Sequence, residues 1–268
     1  MNRNALALAV LTLSAGAVHA EDYLSPTEER VRLTLGFYRV STSTNIRADS
    51  SAGLAGTPVS AEKDFGLQKS NVEAKFQAMI RVGERHRLRF DYFSLDRTGN
   101  RVLDQPYVFK DVVLQPNDPL EASLSMRVLG ITYGYSFIHR ERFELAATLG
   151  VNITDLSARA RVTTPLRHVD QSIDQAGPLP LPGLDATWVI SKRFYLDGKA
   201  QYVRAHVSHF DGSLGVYELD ALYRLREYVA FGVGYSLIKA ELTSTATKNA
   251  GFFDFNTKGP TAFVRIAF

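Results

Sequence analysis

One stretch of the sequence combines residue types that could carry out catalysis. Residues 204–211 read Arg-Ala-His-Val-Ser-His-Phe-Asp, so a single residue separates His206 from Ser208. Alternate residues of an extended strand lie on the same face, so this imidazole could activate this hydroxyl as a nucleophile. Glu218 follows on the next predicted strand, where its carboxylate could orient the imidazole. His206, Ser208 and Glu218 are therefore candidate catalytic residues of an esterase.

The same stretch also has an ordinary structural interpretation. Residues 209–213, His-Phe-Asp-Gly-Ser, are typical of a turn that closes a β-hairpin. Alternation places Glu218 on the polar face of its strand, whereas His206 and Ser208 continue the apolar face that begins at Phe194. This difference of face favours a polar turn, so an enzyme is the less favoured class of protein.

Other patterns that could bear chemistry are weaker. His86, His139 and His168 lie in separate connections and do not form the cluster that a metal site needs. The Gly232-Val-Gly234 sequence precedes no helix, so small side chains that relieve crowding explain it better than a nucleotide-binding loop. The chain has no cysteine, which excludes disulfides and thiolate chemistry. Because the net charge is only +3 and is dispersed, we expect no nucleic-acid partner, and we expect no cofactor.

The start of the chain predicts export. Residues 1–20 contain Arg3, an apolar run over residues 6–13 and the sequence Val18-His19-Ala20, which together are typical of a cleaved secretory signal peptide. The apolar run is too short to cross about 30 Å of hydrocarbon as a helix. No later stretch is apolar over the length that a spanning helix needs, so a soluble exported protein and a β-barrel remain as alternatives.

Alternation of polar and apolar residues recurs along the rest of the chain. The alternating segments are residues 30–40, 71–82, 86–95, 124–137, 142–154, 184–190, 193–203, 216–225, 228–238 and 259–268. Their length suits strands that cross a membrane, about 9–11 residues each. The connections alternate between short ones, as at residues 83–85, and long ones, as at residues 159–180, which is typical of outer-membrane barrels. A soluble β-sandwich is the alternative, but it needs neither aromatic apolar faces nor alternating loop lengths.

These observations predict an all-β fold, namely a transmembrane antiparallel up-and-down β-barrel of about ten strands. We expect residues 29–268 to form the barrel and residues 21–28 to form a short periplasmic N-terminal segment. The last strand places Val264, Ile266 and the terminal Phe268 on one apolar face. This ending resembles the signature by which the outer-membrane assembly machinery recognises barrels, so these three residues are the predicted insertion signal.

The charged faces of the strands must point into the barrel, because a Lys or Arg that faces the middle of the membrane costs about 2–4 kcal/mol. The residues assigned inward on this ground are Arg32, Glu73, Lys75, Arg81, Arg89, Asp91, Glu144, Asp185, Asp197, Lys199, Glu218, Asp220, Arg224 and Arg265. Ten strands enclose little more than their own side chains, and mixed signs favour an ionic network over a selective pore. The predicted closed network comprises Glu73, Lys75, Arg89, Asp91, Lys199, Glu218 and Arg224.

Three segments carry a resemblance to a known family: residues 86–104, 133–151 and 223–238. They look like segments of a family of largely uncharacterised proteobacterial outer-membrane β-barrel proteins, and the resemblance covers nearly the whole chain after residue 20. It implies a barrel and an outer-membrane location, but no reaction. The His-x-Ser pair is similar to the site of lipid A 3-O-deacylases, although the rest of the chain does not resemble them. His209 and Asp211 are similar to the Asp/His chemistry of omptins, but the second acidic pair that omptins need is not assignable here.

The sequence therefore favours an integral outer-membrane barrel that is not an enzyme and has a structural or surface-interaction role, with a lumen filled by side chains. The expected partners are outer-membrane lipid, lipopolysaccharide and, during biogenesis, the barrel assembly machinery. A narrow channel for small solutes is one alternative. A lipid A-modifying esterase that uses His206 and Ser208 is another.

Overall fold

A computed structural model of the protein describes residues 24–164, 167–246 and 250–268, so the expected signal peptide, residues 1–20, lies outside the described residues. Ten long strands form the barrel. They are β1 (Val31–Ala48), β3 (Ser70–Val82), β4 (His86–Val102), β7 (Pro119–Arg140), β8 (Phe143–Thr164), β9 (Arg167–Val189), β10 (Phe194–Val207), β11 (Phe210–Arg226), β12 (Val229–Ser244) and β13 (Gly251–Ala267). Three short strands lie in the connections: β2 (Val59–Ser60), β5 (Tyr107–Phe109) and β6 (Val112–Leu114).

Each barrel strand pairs antiparallel with the next one, and β13 pairs with β1 to close the ring. The prediction of an all-β, ten-stranded antiparallel barrel is confirmed. Among the described residues, no helix has the length and hydropathy needed to cross a membrane.

The two ends of the barrel differ. At one end, called the turn end here, the connections are the short segments 83–85, 141–142, 190–193 and 227–228. Residues 24–30 and the C-terminal residue lie at the same end, where the Arg30 and Val31 N–H groups donate to the carbonyl oxygen of Phe268 at 2.9 and 2.8 Å. The opposite end, the loop end, carries the longer connections 49–69 and 103–118. It also carries the two-residue turn 208–209, where a longer connection over residues 206–212 was expected.

One predicted connection is a pair of strands instead. Residues 159–180 were expected to form a loop, but β8 and β9 continue as a hairpin in register from Phe143 opposite Trp188 to Thr164 opposite Arg167. Alternation of polar and apolar residues does not predict this hairpin. The outward positions of β8 are apolar up to Ile153, but beyond it they include polar residues such as Asp155, Arg159 and Arg161.

The outer surface of the barrel carries a belt of exposed apolar side chains. Leu35 and Phe37 of β1 expose 63% and 67% of their surface, and the outward residues of the other strands repeat this pattern. The belt includes Val72, Phe76, Ile80, Tyr92, Leu129, Ile131, Tyr133, Leu149, Val151, Ile153, Leu184, Trp188, Leu219, Phe231, Val233, Val264, Ile266 and Phe268. The charged residues that the sequence assigned inward alternate with these and point into the barrel.

Apolar packing inside the barrel concentrates near the loop end. One cluster joins the long connections to the inner faces of β7 and β8 through Phe65, Leu103, Tyr107, Leu120 and Val162. A second cluster packs Tyr38, Val40, Phe93, Leu95, Met126 and Phe255 across the lumen. These clusters cover one side of the lumen, from β1 through β8, and leave the side under β9 to β12 less filled.

Candidate lumenal site

The lumen near the turn end is crossed by buried ion pairs. The carboxylate of Glu144, on β8, is fully buried and accepts two hydrogen bonds from Arg81, at 2.7 and 2.9 Å. Arg87 donates to the same carboxylate at 3.3 Å, and the Ser136 hydroxyl donates to it at 2.5 Å. Charge-assisted, two-pronged pairs of this kind are the strongest ion pairs in proteins, so Glu144 holds β3, β4 and β7 to β8.

Further ion pairs continue from this cluster towards the middle of the barrel. Arg87 lies 3.9 Å from Asp185, and Arg89 pairs with both Asp185 and Asp91. Lys199 then bridges Asp91 at 3.7 Å and Glu218 at 2.9 Å. The chain of contacts ends with Lys75, whose amine donates to Glu218 at 2.5 Å. On the opposite side, Arg265 pairs with Asp197, which also accepts a hydrogen bond from Thr187 at 2.8 Å.

The N-terminal segment contributes to this closure. Glu29 is buried and pairs with Arg32 at 2.7 Å, and it also pairs with Arg224 of β11. Arg224 donates in addition to the backbone carbonyl of Leu24. The hydroxyl of Ser25 donates to the carbonyl of Glu141 in the β7–β8 turn, at 2.6 Å. Residues 24–30 are therefore tied across the turn end, and Glu29 is a part of the ionic network that alternation did not reveal.

The seven residues of the predicted network are distributed over three places. Lys75, Arg89, Asp91, Lys199 and Glu218 lie in one continuous series of contacts. Arg224 belongs to the separate cluster around Glu29 at the turn end. Glu73 lies apart from both, nearer the loop end, where it accepts a hydrogen bond from Asn71 at 2.7 Å.

The half of the lumen that holds these ion pairs is nearly filled. Two cavities among the ion pairs measure about 60 and 20 Å³. Space of that size accommodates a few water molecules.

Above the ion pairs, the lumen opens into a much larger cavity of about 430 Å³. Its walls are the inward residues of the upper parts of the strands, and they are mainly apolar. They include Phe93, Met126, Val128, Leu179, Val203, Ala205, Phe210, Leu214, Val216, Ile238, Ala240, Leu242, Phe253 and Phe255. The volume lies within the range of about 300–1,000 Å³ that is typical of small-molecule sites.

Several apolar side chains of this cavity point inward and yet remain exposed. Leu179 of β9, Phe210 of β11 and Leu242 of β12 expose 42%, 44% and 41% of their surface. Exposed apolar surface that lines a concave wall gains free energy when an apolar ligand covers it. We call this space, with its walls and floor, the loop-end cavity.

The floor of the loop-end cavity is polar. Lys75, Asp91, Lys199 and Glu218 line it, and they form the upper end of the ionic series. Gln201 lies beside them, and its buried amide nitrogen has no hydrogen-bond partner among the described residues. A buried donor without a partner costs free energy, so a water molecule or a ligand oxygen there would be stabilised.

The candidate catalytic residues do not come together. Glu218 lies in the lumen and is bonded to Lys75 and Lys199, whereas His206 points outward and exposes 72% of its side chain. Ser208 lies in the two-residue turn between β10 and β11 with φ of 54°. Glu218 stands opposite Lys199, seven positions along β10 from His206, which corresponds to roughly 23 Å along the strand. Nucleophile and base must lie within hydrogen-bond reach, so these residues form no triad.

The pair that is similar to omptin chemistry lies at the turn between β10 and β11. His209 occupies the same turn, and Asp211 stands on the outer face, where it lies 3.5 Å from Arg204 and 3.7 Å from His206. Among the remaining histidines, His86 contacts the Tyr133 hydroxyl at 2.6 Å outside the barrel. In the described ranges, no group of three or more His, Asp and Glu side chains is arranged to hold a metal ion.

Comparison with solved structures shows where this fold has been seen before. The outer membrane protease OmpT from Escherichia coli is 11% identical, with a TM-score of 0.60 over 92% of this chain and 99% of that chain. The outer membrane protein OprG from Pseudomonas aeruginosa is 12% identical, with a TM-score of 0.39 over 92% of this chain and 99% of that chain. No family model and no curated protein matches the sequence. The likeness to OmpT extends to the fold alone, and this chain has the fold of an outer-membrane β-barrel.

Proposed function

We propose that this protein is an integral outer-membrane β-barrel without enzymatic activity, sealed at the turn end and open at the loop end as a binding site. The apolar belt supports the membrane location, because it presents apolar side chains to the hydrocarbon region. Closure of the barrel supports it too, because the paired strands satisfy one another's backbone hydrogen bonds there. The turn end then faces the periplasm, since short turns and both ends of the barrel lie there in outer-membrane barrels. The loop end faces the outside of the cell.

One observation carries this proposal, namely that a network of buried ion pairs lies directly beneath an apolar cavity. A diffusion pore needs a continuous aqueous path, and ion selectivity is produced by rings of one charge sign. Here cations and carboxylates alternate from Glu144 to Lys75 and neutralise each other. The lumen is thus a cup, that is, a cavity that is open at the loop end and closed at the turn end and so receives a ligand from one side. This shape favours a surface-interaction role over a channel.

The esterase alternative loses its support because its residues lie on opposite sides of the barrel wall. The omptin-like alternative has no support beyond the fold, because Asp211 faces away from the lumen and contacts Arg204 and His206. The channel remains the competing function, and its test is electrical.

Single-channel recording in planar bilayers tests the proposal. The wild-type protein should insert without a steady conductance. Arg89→Leu should produce a measurable leak, because it removes the cation between Asp185 and Asp91 and leaves both carboxylates buried without it. Lys239→Leu is the matched control, since Lys239 pairs with Glu241 on the exposed outer surface. A steady open level in the wild type would establish the channel and remove the sealed cup.

The C-terminal strand supports a further part of the proposal, recognition by the barrel assembly machinery. Val264, Ile266 and Phe268 are outward and exposed, and so form a continuous apolar row at the turn end. Deletion of Phe268 should reduce the folded fraction in outer-membrane preparations, measured by heat-modifiability on gels. An unchanged folded fraction would show that the row is not an insertion signal.

A further inference from the structure

The strand pairing of the barrel wall is incomplete beside the loop-end cavity. Strands β9 and β10 pair from Val189 opposite Tyr195 only as far as Gly183 opposite Gln201. Beyond this point β10 continues to Val207 in full register with β11, and β9 continues in full register with β8. Residues 178–182 of β9 and residues 202–206 of β10 are therefore neighbours in the ring without being paired. We call this interval the seam.

The sequence of β9 explains the seam. Prolines occupy every second position of the unpaired stretch, at Pro178, Pro180 and Pro182. Successive residues of a strand direct their N–H groups to opposite neighbours, and proline has no N–H group. Because β9 remains paired with β8 here, its remaining donors, on Leu179 and Leu181, serve β8. The edge that faces β10 has no donors left, so β9 behaves there as an edge strand.

The seam connects two apolar regions. On the inner side it borders the loop-end cavity, whose lining includes Leu179, Pro180, Val203 and Ala205 from its two edges. On the outer side the lower part of the seam borders the apolar belt, since Tyr202 of β10 is exposed and Leu149 of the belt stands opposite Pro182. An acyl chain that crossed the wall at the lower part of the seam would thus pass from one apolar region to another.

Charge at the outer margin of the seam identifies the kind of molecule that enters. On β10, the outward residues above the exposed Tyr202 are Arg204 and His206, whose side chains are 68% and 72% exposed. These residues end the belt on this strand, which places them at the level of lipid headgroups. Arg204 lies 3.5 Å from Asp211 but remains largely exposed, so its guanidinium can also pair with an anionic headgroup. Gln201, the last paired residue below the seam, has a free amide donor for an ester or amide carbonyl.

We propose that the loop-end cavity binds one acyl chain of an anionic lipid of the surrounding leaflet, which enters through the seam between β9 and β10. The inference rests on the proposed function, because it requires a barrel that lies in a membrane and is sealed below the cavity. It names the ligand of that site and the route by which the ligand arrives. The prolines keep the wall open, the cavity walls bury the chain, and Arg204 holds the headgroup outside.

Tryptophan quenching by lipids with brominated acyl chains tests the proposal. The chain has one tryptophan, Trp188, which is exposed in the belt. A second protein carries Trp188→Phe together with Phe253→Trp, so that its single indole lies in the cavity. Both proteins are reconstituted in vesicles of phosphatidylglycerol, with either ordinary or brominated chains. We expect quenching of Trp188, which reports insertion, and quenching of the introduced indole, which reports an acyl chain in the cavity.

The proposed entry route through the seam is tested by replacing the three prolines with residues that have a backbone N–H group. Pro178→Ala, Pro180→Ala and Pro182→Ala, combined with the cavity indole, should allow β9 and β10 to pair further and should abolish quenching in the cavity. Pro260→Ala is the matched control, because this exposed proline lies on β13, away from the seam, and its replacement should leave the quenching unchanged. Arg204→Gln should weaken the quenching when brominated phosphatidylglycerol is a minor component among neutral lipids.

The outcomes separate the two proposals. If Trp188 is not quenched, the barrel is not inserted and the proposed function fails. If Trp188 is quenched but the cavity indole is not, the proposed function stands and the proposal that the cavity binds an acyl chain is wrong. Equal quenching in the alanine and wild-type seams would overturn the lateral route. Quenching only by a brominated alkanol added in water would overturn the lipid and establish a soluble apolar ligand that enters at the loop end.

Discussion

The two halves of the lumen are built from the same ten strands, yet they differ in almost every physical property. The half near the turn end holds a network of buried ion pairs with cavities of about 60 and 20 Å³ among them, and β9 is paired with β10 there. The half near the loop end is lined by apolar side chains, contains a cavity of about 430 Å³ and has a seam in its wall. A barrel of fixed strand number can therefore combine a seal and a binding cup when the type of inward residue changes along the strands.

The largest expected difference in stability is between the loss of a buried ion pair at the turn end and the loss of an exposed ion pair outside the barrel. Glu144→Leu leaves Arg81 and Arg87 buried without their shared carboxylate, and loss of one partner of a buried pair costs about 3–5 kcal/mol. Glu241→Leu breaks an exposed pair with Lys239, and its loss should matter far less because water screens both charges. The free energy of unfolding in urea, measured in vesicles for both variants, checks this difference. Equal losses would mean that the ion pairs of the turn end are as solvated as those outside, and the seal would not exist.

A second comparison concerns two inward leucines. Leu222, near the turn end, is fully buried against Tyr195 and Ala230, so Leu222→Ala should cost about 2–5 kcal/mol. Leu242, near the loop end, exposes 41% of its surface to the cavity, and Leu242→Ala should cost clearly less because fewer contacts are lost. Thermal unfolding of the two variants in the same lipid measures the difference. A Leu242→Ala variant that is as unstable as Leu222→Ala would indicate that the cavity is collapsed in the membrane.

Alternation sufficed to predict much of this molecule from its sequence, for a definite reason. A strand that crosses lipid must place every charge inward, so the positions of Arg81, Glu144, Asp185 and Arg265 follow from parity alone. The place of Glu29 in the ionic network does not follow from parity, because Glu29 precedes the first strand and folds back across the turn end, where no alternation applies. The extension of the β8–β9 hairpin over residues 159–180 does not follow from alternation either, because beyond the belt neither face of a strand has to be apolar.

The loop-end cavity could not be located by the same argument. Alternation assigns faces, but it does not tell whether an apolar inward residue packs against a neighbour, as Phe255 does, or lines empty space, as Leu242 does. Two signals were nevertheless present in the sequence. Residues 237–242 of β12 carry apolar residues on the inward face, and Pro178, Pro180 and Pro182 mark a strand edge that cannot donate. Pro178 and Pro180 fall within the expected loop of residues 159–180, and the regular spacing of the three prolines is the sequence signal of an unpaired strand edge.

The contrast between a sealed half and an open half is tested most directly by thiol accessibility, because the chain has no natural cysteine. Ala146→Cys places a thiol beside the Glu144 cluster, where Ala146 is fully buried. Ala205→Cys places one on the wall of the loop-end cavity. Each variant is folded in an amphipathic polymer, where no membrane lipid competes and both mouths of the barrel are accessible, and is treated with a charged, water-soluble maleimide. Position 205 should be modified rapidly, and position 146 should be protected until the barrel is unfolded. Equal rates of modification at the two positions would mean that the turn-end half is as accessible to water as the loop-end cavity, and would contradict a sealed half.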